Sequence, residues 1–250
     1  MKITNWCRKL SAAVVAGGLL VPCAASAAPL GTNLVANPGF ENVNINSSQG
    51  GYNAVEILEW TDGTAVGFAY SHDGSLDGGG MTIPDYANGG PLAGGGSFYF
   101  TSNATDGDIS MPGQVMQTID LASGPTAAAI ATGRATFELS AFFSSYSDDG
   151  DFGNVQLEFL DLSLAPILIP PVVISDNDTT MWTQVGTSGS IPLTAFAARV
   201  SVYGTPVTAG PDGYIDNVDF RVVPEPATMW LCGLGIAGAG VIRLRRRDGS

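Results

Sequence analysis

Cysteine and histidine are scarce in this chain, and their scarcity excludes several kinds of site. The 250 residues include three cysteines, at positions 7, 23 and 232, and one histidine, His72. Residues 28–223 therefore contain no cysteine for a disulfide or for zinc, and no histidine pair. A serine hydrolase needs a base beside its nucleophile, and no Gly-x-Ser-x-Gly motif is present. We expect the protein not to be an enzyme, with glycoside hydrolysis by paired carboxylates kept as a third alternative.

Basic residues are also nearly absent from the middle of the chain. Of ten lysines and arginines, only Arg134, Arg199 and Arg221 lie within residues 28–223. The same stretch has 21 acidic residues, so its net charge is −18. Such a body is repelled by nucleic acid and by anionic lipid, and it attracts cations. Nucleic acid is therefore not expected as a partner.

The first 27 residues have the three parts of a secretory signal peptide. Lys2, Arg8 and Lys9 supply positive charge, residues 10–21 are apolar, and the small residues Ala-Ser-Ala follow at 25–27. This order predicts export through the Sec machinery and cleavage after residue 27.

The body that follows shows no convincing helical period. Short runs rich in valine, isoleucine, phenylalanine, tyrosine and threonine alternate with glycine, asparagine, aspartate and serine, which is typical of an all-β sandwich or barrel. The predicted strands are residues 54–60, 65–70, 97–101, 114–121, 135–146, 154–162, 171–174, 182–192, 198–203 and 214–222. Alternation of apolar and polar residues is clearest at 155–160 and 199–203.

Two motifs at the ends of the body resemble a known group of folds. NLVANPGFE at residues 33–41 and DGYIDNVDF at 212–220 are similar to the opening and closing strands of galactose-binding-like jelly rolls, a group that includes many carbohydrate-binding modules. The resemblance implies an all-β jelly-roll sandwich of two antiparallel sheets over residues 28–222. It also implies a structural calcium ion where the first and last strands meet, with Glu41 and Asp216 as ligands. The alternative makes Glu41 a surface charge and Asp216 a turn former.

A sugar site of that group would stack an aromatic ring on a pyranose. The aromatic candidates are Trp60, Tyr70, Tyr86, Tyr99, Tyr146 and Trp182. An alternating aromatic residue in a strand is more often part of the core, so ligand-binding residues stay unassigned at this stage.

The C-terminal segment begins with a proline-bracketed glutamate and ends in arginines. Residues 227–242 carry no charge, and at 1.5 Å per residue they would form a helix of about 24 Å, slightly short for a membrane span. We predict a single transmembrane helix there. The positive-inside rule keeps the basic cluster of residues 243–247 in the cytoplasm, and its arginines are Arg243, Arg245, Arg246 and Arg247.

This order of parts resembles the PEP-CTERM sorting signal of Gram-negative bacteria. The motif itself is Pro224, Glu225 and Pro226, followed at once by the apolar run and the basic tail. The resemblance implies a sorting segment at 223–250 and recognition by an exosortase in the inner membrane. A cut near the motif would release or transfer the body, so the helix would be a temporary anchor.

Together these features predict an exported protein of the cell surface or extracellular matrix. Its expected role is structural or adhesive within an exopolysaccharide or biofilm layer, with calcium as a candidate structural ion. The alternative is a carbohydrate-binding module that recognises one specific glycan.

Overall fold

The computed structural model describes residues 29–49, 54–63, 68–71, 87, 89–102, 113–146, 150–167, 170–176, 181–207 and 212–224. The predicted signal peptide and the chain after residue 224 lie outside these ranges and stay predictions. The strands are β1 Val43–Gln49, β2 Ala54–Ile57, β3 Thr61–Asp62, β4 Phe68–Ser71, β5 Phe98–Thr101, β6 Gln114–Asp120, β7 Ala135–Ser145, β8 Phe152–Leu160, β9 Val172–Asp176, β10 Thr183–Ser190, β11 Ala197–Thr205 and β12 Gly213–Pro224. One helix, α1 Gly124–Ala131, precedes β7.

The strands form two antiparallel sheets. The seven-stranded sheet has the order β1-β2-β4-β5-β12-β7-β10, and the five-stranded sheet has the order β3-β6-β11-β8-β9. From β5 to β8, and again from β9 to β12, each strand lies in the sheet opposite to the strand before it. This crossing between sheets is the connectivity of a jelly roll. The predicted two-sheet sandwich is therefore confirmed.

Alternation along the central strands builds the core. At every second position of β7 from Phe137 to Phe143 the residue faces inward, and the residues between these positions are more exposed. β8 of the other sheet buries Leu157 and Phe159 in the same way. The rings of Phe137 and Phe159 meet across the sandwich, with centroids 5.6 Å apart. Each fully buried side chain of this size contributes about 1.5–3 kcal/mol, so the two inner faces hold the sheets together.

The helix α1 was not predicted from the sequence. It spans only eight residues, with proline in its first turn. Only Thr126 and Ile130, four residues apart, are buried along it. Two inward positions are too few to produce a recognisable helical period.

One predicted strand is divided in the structure. Residues 54–60 were expected to form one strand, but β2 ends at Ile57 and Glu59 has a φ of 69°. A left-handed residue cannot continue an extended strand, so the chain turns and pairs as β3 with β6 of the other sheet. β1 was missed altogether, because its sequence VNINSSQ has little of the β-branched and aromatic character of a typical strand.

The beginning of the body lies along its last strand. The amide of Gly31 donates to the carbonyl of Val222 over 2.8 Å, and the amide of Leu34 donates to that of Phe220 over 2.8 Å. The side-chain oxygen of Asn33 accepts the amide of Phe220 at 3.1 Å. The two motifs at residues 33–41 and 212–220 are therefore neighbours, although nearly the whole sandwich separates them in the chain.

Candidate cation site where the chain ends meet

The turn that carries Glu41 is organised by Asn37. The side-chain amide of Asn37 donates to the carbonyls of Asn42 at 3.1 Å and Leu58 at 2.9 Å, and its side-chain oxygen accepts the amide of Asn42 at 2.9 Å. The indole of Trp60 donates to the carbonyl of Asn37 over 3.1 Å. Asn37 has a φ of 47°, which asparagine tolerates better than most residues. These contacts set the direction in which the chain leaves the turn.

Phe40 anchors the same turn in the core. It has a φ of 58° and no exposed surface. Its ring centroid lies 5.4 Å from that of Trp60 and 5.8 Å from that of Phe100. Burial of a whole phenylalanine outweighs the strain of its backbone, so the next residue, Glu41, is held in place.

Glu41 is bound by the backbone that enters β5. Its two carboxylate oxygens accept the amide of Ser97 at 2.9 and 3.0 Å, and one of them accepts the amide of Phe98 at 2.9 Å. Gly96 makes this approach possible, because a Cβ there would lie 2.3 Å from Glu41 Oε1. Gly96 also has a φ of 81°, which only glycine adopts without strain.

We expect Gly96→Ala to destabilise the protein more than Gly94→Ala does. Both glycines have a positive φ, but nothing lies within 4 Å of a Cβ at residue 94. The Gly94 variant measures the backbone strain alone, about 1 kcal/mol, and the Gly96 variant adds displacement of Glu41. Chemical unfolding of both variants compares the two free energies of unfolding. Equal losses would show that the contact between Gly96 and Glu41 contributes nothing.

A β-bulge in β12 positions Asp216. Asp216 pairs with Phe142 of β7, and Asp219 pairs with Ser140, so three steps along β12 match two along β7. The extra residue is taken up around Asn217, which has a φ of 49°. The bulge turns Asp216 inward, where it has no exposed surface. Its Oδ1 accepts the amide of Asn217 at 2.6 Å.

The environment of Asp216 favours its neutral form. The pKa of Asp216 is raised to about 9: burial is the largest cause, the Asn217 amide acts in the opposite direction, and the negative charge of Glu41 adds to the rise. A Cβ on Gly39 would lie 3.4 Å from Asp216 Oδ1 and 3.2 Å from Asn217 Oδ1, so the backbone of the Glu41 turn packs against this carboxylate. The structure thus brings the two predicted ligands into one site.

The donor set of this site suits a hard cation. Two carboxylates, one of them buried, lie beside backbone and amide oxygens, which are the ligands that calcium takes in proteins. Among the described residues, no group of three or more histidine, cysteine, aspartate or glutamate side chains could hold a metal. Calcium sites complete their coordination with carbonyl oxygens and water, so a pair of carboxylates at a turn is compatible with calcium.

The first residue of the sorting motif belongs to the last strand of the sandwich. Pro224 is the last residue of β12, where it is exposed and opposite Ala135 of β7. Glu225, Pro226 and the four arginines of the tail lie outside the described residues. Within the described part of the chain, no helix is long and apolar enough to cross a membrane. The predicted helix at 227–242 falls outside that part.

Three of the six aromatic candidates for a sugar site belong to the core. Trp60, Tyr70 and Tyr99 are buried, and the ring of Trp182 packs edge-on against Tyr99 at 5.6 Å. Tyr146 is 46% exposed at one end of the sandwich. Tyr86 lies outside the described residues. Three of the six aromatic candidates are therefore core residues, because their side chains point inward, and the sequence did not decide that direction.

A polar groove on the outer face of the seven-stranded sheet was not predicted. It has a volume of about 360 Å³ and crosses β10, β7 and β12, with a smaller cavity of about 240 Å³ beside it. Gly186 and Ser140, which pair across β10 and β7, form its floor. Asp219 and Arg221 line it from β12. The outward positions of these strands alternate in the sequence, but only their register shows that they lie side by side.

The sandwich and the residues after it define a protein in two parts, a jelly-roll body and a C-terminal sorting segment. Residues 222–247 match the family model of the PEP-CTERM protein-sorting motif. The chain therefore carries a PEP-CTERM sorting signal, as predicted. This signal implies an exported, surface-directed protein with an exosortase as its processing partner.

Several solved structures are similar to the body at low identity. The active domain of tailspike protein 4 from bacteriophage CBA120 is 15% identical, with a TM-score of 0.44, 77% of this chain covered and 22% of the tailspike chain covered. The carbohydrate-binding module TmCBM61, solved with β-1,4-galactotriose, is 13% identical, with a TM-score of 0.40 and coverages of 77% and 99%. A xylan-binding domain of Paenibacillus barcinonensis is 11% identical, with a TM-score of 0.40 and coverages of 79% and 99%. A comparison with curated proteins finds no match.

Proposed function

We propose that the exported body is a non-catalytic component of the cell surface or extracellular matrix, with a structural or adhesive role in an exopolysaccharide layer. The observation that carries the proposal is the junction at Pro224, where the last strand of an acidic sandwich runs directly into the sorting signal. A protein built in this way delivers its whole folded body to the exosortase. Cleavage near the motif would leave that body outside the inner membrane.

The burial of Asp216 supports a non-catalytic role. Glu41 and Asp216 are close enough for their charges to interact, as an acid and base pair in a glycosidase would be. Asp216 has no exposed surface, however, and it lies against the backbone of Gly39. A polysaccharide cannot reach this carboxyl group, so the pair is better suited to holding an ion.

We propose calcium as that ion, with Glu41 and Asp216 supplying charge and nearby carbonyls supplying further oxygens. Calcium would replace the proton that the buried carboxyl group otherwise keeps, and it would neutralise the repulsion between the two acids. Its role would be structural, because Glu41 belongs to the first motif of the body and Asp216 to the last strand. In an acidic polymer layer, the remaining acids of the body would also attract bridging cations.

The polar groove is the proposed contact for polysaccharide. The guanidinium of Arg221 lies against Asp219, with its Nε 2.8 and 2.9 Å from the two carboxylate oxygens. Glu138 lies opposite Arg221 on β7, and Thr187 and Ser188 line the same groove from β10. Fixed charged groups and hydroxyls at a shallow surface suit the hydroxyls of an extended sugar chain.

We expect Arg221→Ala to weaken retention on insoluble polysaccharide by roughly tenfold, because it removes charge-assisted hydrogen bonds. The matched control is Arg199→Ala. Arg199 pairs with Glu158 on the five-stranded sheet, at 2.9 Å from Nε and 2.6 Å from the terminal nitrogen. The measurement is a pull-down on a panel of polysaccharides.

The pattern of retention distinguishes an adhesive protein from a carbohydrate-binding module. Weak retention on several acidic or neutral polymers supports an adhesive protein, and strong retention on one polymer supports a carbohydrate-binding module. Retention on none of them contradicts both. An equal loss in the Arg199 variant would show that the groove is not the contact surface.

A further inference from the structure

Three exposed leucines lie at the end of the sandwich from which the sorting segment leaves. We name this end the exit end; it holds the terminal pairs Pro224 with Ala135 and Ala197 with Leu160. The connection after β8 begins there, and so does the connection between β10 and β11. The exposed leucines of these two connections are Leu162, Leu164 and Leu193, with exposed fractions of 75%, 53% and 65%.

The loop after β8 holds two of these leucines in a fixed outward position. One carboxylate oxygen of Asp161 accepts the amide of Ser163 at 2.8 Å, its hydroxyl at 2.6 Å and the amide of Ala165 at 3.1 Å. The amide of Asp161 donates to the carbonyl of Ala165 over 2.9 Å. Leu164 lies between them with a φ of 61°, which favours glycine or asparagine over a leucine. The loop therefore presents apolar side chains to the outside at the expense of backbone strain.

The chain beyond Pro224 limits how far the exit end can lie from a membrane. Only Glu225 and Pro226 separate Pro224 from the uncharged run at 227–242. A fully extended chain advances about 3.3–3.6 Å per residue, so residue 227 lies within about 10 Å of Pro224. If the run enters a bilayer, the exit end reaches the headgroup region, which is where partly inserted apolar groups bind.

Charge also distinguishes the exit end from the opposite end. Among the described loop and strand-end residues, the exit end carries Asp120, Asp161 and the compensating Arg134. The opposite end carries Asp151, Asp176 and Asp212, together with the exposed apolar residues Tyr146, Met181 and Val207. Both ends are partly apolar, but the exit end has the smaller negative charge. It is the end that anionic lipid repels less.

We propose that the exit end docks on the lipid surface of the inner membrane while the sorting segment is still attached, with Leu162, Leu164 and Leu193 inserted among the headgroups. The inference rests on the proposed sorting function, because the tail brings this end to the bilayer. Docking would hold Pro224 at a fixed height above the membrane, which is where a membrane-embedded processing enzyme acts on its substrate.

Contact quenching by brominated lipid tests the proposal. The chain from Ala28 to Ser250, with Cys232→Ser, is reconstituted in vesicles of phosphatidylethanolamine and phosphatidylglycerol. A bimane label is placed at Leu193→Cys in one sample and at Met181→Cys in the other. We expect the label at 193 to be quenched about threefold more than the label at 181, because only the exit end reaches the headgroups.

Two double variants complete the test. Leu162→Ser with Leu164→Ser should reduce quenching at 193, whereas Tyr146→Ser with Val207→Ser at the opposite end should leave it unchanged. Resistance of the chain to carbonate extraction reports separately on insertion of the tail. Equal quenching at both labels in carbonate-resistant protein overturns docking and leaves the sorting function standing. A chain that carbonate removes from the vesicles overturns both.

Discussion

Replacing Asp216 with asparagine is expected to stabilise the cation-free protein at pH 8, raising its melting temperature by about 10 °C, and to abolish its response to calcium. Asparagine keeps an oxygen that can accept the Asn217 amide, which binds Asp216 Oδ1 at 2.6 Å in the native site. It carries no charge, so it removes both the desolvation penalty and the repulsion from Glu41. The variant therefore separates the electrostatic cost of this residue from its packing.

The direction of the pH effect follows from the raised pKa. The pKa of Asp216 is about 9 in the folded protein and about 3.8 in the unfolded chain. Between these pH values Asp216 is ionised in the unfolded chain but keeps its proton in the folded protein. The contribution of Asp216 to the free energy of unfolding is therefore largest below pH 3.8 and falls as the pH rises toward 9. From pH 5 to pH 8 the loss is on the order of 4 kcal/mol. The native protein in chelator should therefore melt at a lower temperature at pH 8 than at pH 5.

Calcium is expected to reverse this loss in the native protein only. Binding to the folded state raises the melting temperature, and the rise should be larger at pH 8, where protons compete less strongly with the ion for the carboxylate. Glu41→Gln should weaken calcium binding in a calorimetric titration. Glu138→Gln, which removes an exposed carboxylate on the neighbouring strand β7, is the matched control. Identical melting at pH 5 and pH 8 in chelator would contradict the raised pKa, and an equal calcium shift in the Asp216→Asn variant would place the ion elsewhere.

Loss of the sorting motif is expected to abolish C-terminal processing altogether. In the native host, the mature protein should end near Pro226, without Arg247. The triple variant Pro224→Ala, Glu225→Ala and Pro226→Ala should keep Arg247 and stay in the membrane fraction, because the exosortase reads this region of the signal. Mass spectrometry of the intact protein gives the terminus in both cases.

The position of Pro224 makes the triple variant a clean test of processing. Pro224 is exposed at the end of β12, so alanine there removes little buried surface. A single variant at Val200, which is fully buried on β11 and lies outside the matched sorting segment, serves as the control for a folding defect. Val200→Ala should lower stability by about 1–3 kcal/mol and still be processed. A native protein that retains Arg247 would contradict sorting by an exosortase.

The strands whose inner and outer residues alternate were predictable from the sequence. β8 and β11 lie at the centre of the five-stranded sheet, so every second residue faces the core and the pattern is unmistakable. β1 lies at the edge of the other sheet, and five of its seven residues are polar, so it gave no such signal. The strand predicted at residues 54–60 ends early because Glu59 has a positive φ, and the identity of its side chain does not predict that backbone angle.

The sequence alone identified the sorting signal, because such a signal is a contiguous stretch that is defined by the order of its proline, glutamate, apolar run and arginines. It also named Glu41 and Asp216 through two local motifs. Only the tertiary structure decided that a bulge buries Asp216 beside Glu41, that Trp60 and Tyr99 belong to the core, and that Arg221 lies across from Glu138. Those properties depend on strand register and on which face a side chain takes, and both are set by packing between residues far apart in the chain.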